Sequence, residues 1–167
     1  PHHTLFQKAE AKLLRIDLAK EGNTLGYIMG AGDDIPAALH QMGYQVAVLS
    51  DDEIAEGDLS RFDAIIAGVR AYNTRPKLRA HQRRLMEYVD RGGTYVVQFV
   101  TLQRGESENL GPFPFTVSRE RVTVEEAPVS FVKPNHPVLN RPNKITEQDF
   151  NGWIQERGLY FAGQWDA

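Results

Sequence analysis

The chain contains no cysteine among its 167 residues. This absence excludes disulfide bonds, thiolate metal ligands and a cysteine nucleophile. It identifies no compartment, because secreted proteins can also lack cysteine. Other catalytic signatures are missing as well, since no serine stands in a glycine-flanked elbow and no pair of histidines has the spacing of zinc ligands. We therefore expect no metal and no cofactor.

The chain also lacks a surplus of positive charge and a long apolar run. Its 19 lysines and arginines face 22 acidic residues, which leaves a net charge of −3. Such a chain cannot neutralise a phosphate backbone, so nucleic acid is not an expected partner. No apolar run approaches the roughly 18 residues that span a bilayer, and residues 1–4 do not begin a signal peptide. We expect a soluble chain that is a piece of a longer protein.

Four apolar segments alternate with helical patterns and predict an α/β fold. The segments are residues 25–29, 45–49, 63–68 and 94–99. Their continuous apolar character is typical of strands that are buried on both faces of a parallel sheet. We predict one three-layer domain over residues 25–167, truncated at its C-terminus, with 1–24 as a lead-in segment or the tail of a preceding domain. Beyond residue 100, short apolar pieces broken by prolines predict an irregular, β-rich part.

Helix signals fill the intervals between the predicted strands. Residues 35–42 form one predicted helix, which Gly43 ends. Ser50 and Glu53 have the spacing of a capping box and predict a short helix. Residues 75–91 carry apolar side chains at helical spacing and predict the longest helix, preceded by a loop over 69–74.

The loop after the first strand carries the first candidate site residues, Gly30, Gly32, Asp33 and Asp34. The glycines would let backbone amides approach a phosphate at a helix start. However, the two aspartates already place negative charge there and no lysine follows, so helix capping by a carboxylate is the simpler interpretation. A third interpretation joins these acids with residues 51–52 in a cation site or an acid–base pair.

The loop after the third strand carries the other candidates, Arg70, Tyr72 and Asn73. A guanidinium, a phenol and an amide within four residues are suited to holding a polar ligand. The alternative is structural: Arg70 pairs with a nearby acid, and Asn73 or Thr74 caps the following helix. Because parallel strands deliver their following loops to one edge of the sheet, both loops are expected at the same crevice.

Three strings occur together in this chain: residues 26–34 (GYIMGAGDD), 63–73 (DAIIAGVRAYN) and 145–153 (ITEQDFNGW). In this combination the chain resembles the C-terminal domain of large bacterial proteins of the PIG-L family, which are N-acetylglucosaminyl-phosphatidylinositol deacetylase-like and are also called LmbE-like. That domain is similar to class I glutamine amidotransferases and to the trehalose-utilisation protein family. The resemblance covers residues 25–167 and implies a flavodoxin-like layered fold. It also implies a bacterial protein of the cytoplasm or the periplasm.

The resemblance carries no catalytic residue with it. In amidotransferases the strand after the long helix ends in a glycine-flanked cysteine, whereas residues 97–101 read VQFVT here. The His-Pro-Asp-Asp zinc string of the deacetylases is absent too, because residues 135–138 lack its acids. The active site of a deacetylase parent would therefore lie outside this chain.

Two classes of function follow for this chain. The first is a non-catalytic accessory domain, a pseudoenzyme that binds a carbohydrate-like ligand or packs on other domains of the larger parent. The second is a hydrolase-type enzyme that uses strand-end acids and Arg70 without a covalent nucleophile. The first is favoured because no residue set has the spacing of a nucleophile, a base and an orienting group.

Overall fold

A four-stranded parallel sheet forms the centre of the computed structural model, which describes residues 9, 11, 13, 15, 17–101, 110, 115–154 and 158–165. The strands are β1 (Thr24–Ile28), β2 (Gln45–Val48), β3 (Ala64–Ala67) and β4 (Thr94–Val97). They lie in the order β2-β1-β3-β4, and every neighbouring pair is parallel. The prediction of four parallel strands at these places is confirmed. The order matches the first four strands of the flavodoxin-like order 2-1-3-4-5.

Five helices connect these strands. Their bounds are α1 (Ile35–Gln41), α2 (Asp51–Glu56), α3 (Ala71–Thr74), α4 (Pro76–Ala80) and α5 (Gln82–Asp90). The predicted capping box is confirmed at α2, where Ser50 and Glu53 bond each other's backbone amides. The long helix predicted over 75–91 is broken instead at His81, whose φ and ψ are −99° and 5°. The loop predicted over 69–74 includes the short helix α3.

Helices cover both faces of the sheet. On one face Ile28 and Ile65 join α2, α4 and α5 in the main core. Leu25 and Ile66 point to the other face, because side chains alternate along a strand. Leu39 of α1 borders the same cavity as these two residues, so α1 lies on that second face. The domain therefore has the three predicted layers.

The C-terminal part forms two small antiparallel sheets. One pairs β5 (Phe115–Val117) with β8 (Ala162–Trp165), and the other pairs β6 (Arg121–Val122) with β7 (Gly158–Leu159). Two hydrogen bonds between the side-chain amide of Asn143 and the backbone of Ala19, at 2.9 and 2.7 Å, tie this part to the segment that precedes β1. The C-terminal part is therefore linked to the segment that leads into the sheet.

Candidate functional site

The two predicted loops meet at the carboxyl ends of β1 and β3. The backbone amide of Ala31 donates to the carbonyl of Val69 at 2.8 Å. A Cβ atom on Gly30 would lie 2.1 Å from that same carbonyl oxygen, so only glycine permits the approach. Gly32 has a φ of +98°, a backbone conformation that favours glycine, and a Cβ atom there would meet no other atom within 4 Å. The structure thus brings both loops together at the expected edge.

Asp33 anchors the first loop to the sheet. The buried hydroxyl of Tyr27 donates to its two carboxylate oxygens at 2.7 and 2.8 Å, and the amide of Ile35 donates at 3.1 Å. Burial, then the bond to the Asp33 carboxylate, raises the pKa of Tyr27 above its ordinary range. Asp33 therefore has a structural role at the start of α1. Asp34 occupies the N-cap position but makes no side-chain cap bond, and it is exposed.

Arg70 takes an unusual backbone conformation at the end of β3. Its φ is 58° and its ψ is 23°, a left-handed region that non-glycine residues rarely adopt. Its amide is held by the carbonyl of Phe99 at 2.7 Å. Within the described ranges, its side-chain Nε is buried without a hydrogen-bond partner, and no carboxylate forms an ion pair with it. The predicted structural pairing of Arg70 with Asp33 or Asp34 is absent from this conformation.

Tyr72 and Asn73 face inward and brace the loop from behind. Tyr72 is 2% exposed, and its hydroxyl contacts Gln82 and the hydroxyl of Tyr95, the latter at 2.9 Å. Burial raises the pKa of Tyr72. The side chain of Asn73 exchanges two hydrogen bonds with the backbone of Thr101, at 3.2 and 2.9 Å, and does not cap the next helix. The polar groups of both side chains thus bond other residues of the chain: Gln82 and Tyr95 for Tyr72, and Thr101 for Asn73.

The structure adds Phe99 and Tyr160 to this edge of the sheet. Their rings lie 5.9 Å apart, and Tyr160 has a φ of 59°. Arg70 and Tyr160 are the two non-glycine residues with a positive φ in the part of the chain described here, and both contact Phe99. Strained backbone of this kind concentrates at functional sites. No sequence pattern marks Tyr160, because its place depends on how the C-terminal part folds back.

The acids after the first two strands do not form the cation site or acid–base pair considered from the sequence. Asp51 is bound by the guanidinium of Arg75, which also donates to the carbonyl of Leu49 at 3.2 Å. Asp33 is held by Tyr27, as above. Over the described residues, no group of three or more histidines and acids could hold a metal ion.

Comparison of the chain with protein-family models, with curated proteins and with solved structures finds no match in any of the three. Nor does any helix in the described ranges have the length and apolar character needed to cross a membrane. The groups at the strand ends are the guanidinium of Arg70, whose Nε has no partner among the described residues, the exposed carboxylate of Asp34, and the rings of Phe99 and Tyr160.

Proposed function

We propose that this chain is a non-catalytic accessory domain of a larger PIG-L-like protein, and that it binds an acidic, carbohydrate-like ligand at the strand-end crevice. The observation that carries the proposal is Arg70. It is held in a left-handed conformation between two loops, and its Nε has no partner among the described residues.

An unpaired buried donor is costly, and a ligand oxygen would remove that cost. Leaving a buried polar group without a hydrogen bond costs about 1–3 kcal/mol. A carboxylate can accept two parallel hydrogen bonds from a guanidinium, which gives both affinity and orientation. A carboxylate on the ligand would supply such an acceptor to Arg70.

The hydrolase alternative has less support. The two acids that would serve it best, Asp33 and Asp51, are already bound by Tyr27 and Arg75. Where the nucleophile elbow of an amidotransferase would stand, residues 98–100 read QFV and include no cysteine. An accessory domain could instead act by packing on a catalytic domain. We favour ligand binding because the buried Nε of Arg70 has no partner among the described residues.

Substitution of Arg70 tests the proposal, with glucuronate as the acidic probe and glucose as its neutral counterpart. We expect Arg70→Ala to weaken glucuronate binding at least about tenfold by calorimetric titration, as loss of a charge-assisted pair implies. The melting temperature should stay the same or rise, because alanine keeps the backbone conformation of residue 70 and removes the buried donor that has no partner among the described residues. Arg70→Lys should restore binding only in part, because an ammonium lacks the planar fork.

Arg83→Ala is the matched control, since Arg83 is an exposed arginine that pairs only with Glu87 on its own helix among the described residues. It should leave glucuronate binding unchanged. A fall in melting temperature for Arg70→Ala with unchanged glucuronate binding would show that Arg70 is a structural residue and would overturn the proposal.

A further inference from the structure

A second concave surface lies in the C-terminal part of the chain, between residues 126–129 and 150–154. It encloses about 380 Å³, and its walls include Glu126, Pro128, Phe150, Asn151 and Trp153. This volume falls within the range of small-molecule sites, which are apolar with a few polar groups. None of these residues belongs to the strand-end loops. We call this surface the aromatic groove.

Three aromatic rings contact one another in series, and two of them, Phe150 and Trp153, line the aromatic groove. The ring of Phe131 meets Phe150 edge-on with centroids 5.9 Å apart, and Phe150 lies 4.9 Å from Trp153 at 31°. Phe150 is thus supported on one side and supports Trp153 on the other. Even so, 60% of Trp153 remains exposed. The indole therefore has support behind it and a face open to solvent.

Hydrogen bonds fix the turn that carries Trp153. The amide and the hydroxyl of Thr146 donate to the carboxylate of Asp149 at 2.6 and 3.1 Å, at the start of the 3-10 turn Glu147–Phe150. The amide of Trp153 then donates to the carbonyl of Phe150 at 3.1 Å, across Gly152 with a φ of +72°. The backbone of Trp153 is therefore already ordered before a ligand binds.

Polar groups stand at the edge of the aromatic groove. Glu126 and Asn151 are exposed, and no described residue bonds either side chain. They offer a carboxylate and an amide to hydroxyl groups of a bound molecule. The face of an indole is electron-rich and attracts C–H groups that neighbouring oxygens have polarised. A saturated six-membered ring with axial C–H bonds on its faces and equatorial hydroxyls around its edge matches both the indole face and the polar groups beside it.

We propose that the aromatic groove binds one neutral pyranose ring of a saccharide, with the face of the sugar on Trp153 and its hydroxyls on Glu126 and Asn151. This site is independent of the one proposed around Arg70, because the two share no residue and differ in the charge of their ligand.

Cellotriose is the probe, because its all-equatorial rings expose C–H bonds on both faces. Sorbitol is the matched ligand control, since it carries similar hydroxyls but no flat ring. We expect cellotriose, and not sorbitol, to shift the amide resonances of residues 126–129 and 150–154. Trp153→Ala should weaken cellotriose binding at least about fivefold, as the loss of one aromatic contact implies. Trp153→Phe should restore part of it.

Val132→Ala is the protein control, since Val132 is 91% exposed on the same segment and lies outside the aromatic groove. It should bind cellotriose like the parent chain, and both variants should keep the parent melting temperature. The proposal is overturned if cellotriose shifts none of these resonances up to its solubility limit, or if sorbitol shifts them equally. Loss of glucuronate binding at Arg70 is a separate measurement, so either proposal can fail alone.

Discussion

The bond between Tyr27 and Asp33 is a testable determinant of how the first strand-end loop is positioned. Tyr27 is fully buried on the face of the sheet that α1 covers, and its hydroxyl donates to both carboxylate oxygens of Asp33. Gly68 leaves room for this hydroxyl, since a Cβ there would lie 2.6 Å from it. Tyr27→Phe removes only the hydroxyl and keeps the packing of the ring.

The size of the effect follows from the charge of the acceptor. A hydrogen bond to a charged group contributes about 1.5–3 kcal/mol. Because Asp33 is partly exposed, water replaces part of the lost bond, and we expect Tyr27→Phe to cost about 1.5 kcal/mol. For a domain of this size that corresponds to a fall in melting temperature of about 3–5 °C. Asp33→Ala should cost more, because it leaves the buried hydroxyl without a partner.

A double-mutant cycle measured by urea unfolding isolates this bond. The coupling energy between Tyr27 and Asp33 should exceed about 1 kcal/mol. Tyr44→Phe is the matched control: the Tyr44 hydroxyl makes a longer bond, 3.3 Å to the carbonyl of Glu21, at an exposed position. If Tyr27→Phe costs no more than Tyr44→Phe and the coupling is near zero, the anchoring role assigned to Asp33 is wrong.

The burial of the Tyr27 hydroxyl, together with its bond to Asp33, predicts a response to alkali. The pKa of Tyr27 is raised in the folded chain, so its contribution to stability is complete below the ordinary tyrosine pKa of about 10 and is lost as the pH rises further. Tyr27→Phe should therefore lose less stability than the parent chain between neutral pH and strong alkali. An equal loss in the two chains would contradict this reasoning.

Three further predictions concern other parts of the domain. The carboxylate of Asp63 accepts hydrogen bonds from the amides of Thr24 and Asn23 at 2.8 and 2.7 Å, and these bonds lower its pKa. Its contribution to stability is therefore lost as the pH falls below about 4. In Asp63→Asn the free energy of unfolding should depend less steeply on pH in this acid range. Gly30→Ala should destabilise the domain by about 2–3 kcal/mol in urea unfolding, because its Cβ would meet the carbonyl of Val69; a smaller loss than in Gly32→Ala would contradict this close approach. The chain should release no ammonia from glutamine above the buffer rate, because it has no cysteine.

The parallel sheet was accessible from the sequence because all four strands are apolar runs, although only the inner strands β1 and β3 are largely buried and the edge strands expose Val48 and Val96. Residues such as Ile28 and Ile65 lie in unbroken apolar runs, and runs of this kind have few alternative structures. The capping box of Ser50 and Glu53 was accessible for a similar reason, since both partners lie within one turn of chain. Local signals of this kind do not depend on the rest of the fold.

The roles of individual polar residues depend on tertiary contacts and were harder to predict. Tyr72 has the sequence context of a ligand-binding phenol, but its hydroxyl contacts Gln82 and Tyr95 on elements that follow later in the chain. The break at His81 was not predicted either, because Leu78 and Leu85 lie seven residues apart, a spacing that a continuous helix also gives. The aromatic groove joins segments some twenty residues apart, so no short pattern marks it.

The most direct test of the account is a map of the amide resonances that glucuronate shifts in the ¹⁵N-labelled chain. Ligand binding at the strand-end crevice predicts that the largest shifts fall in residues 30–34 and 70–73, where the first and third loops meet. At the same glucuronate concentrations, these shifts should be much smaller in Arg70→Ala. Shifts that lie elsewhere, or that follow the same titration curve in Arg70→Ala, would contradict the proposal that Arg70 binds the ligand.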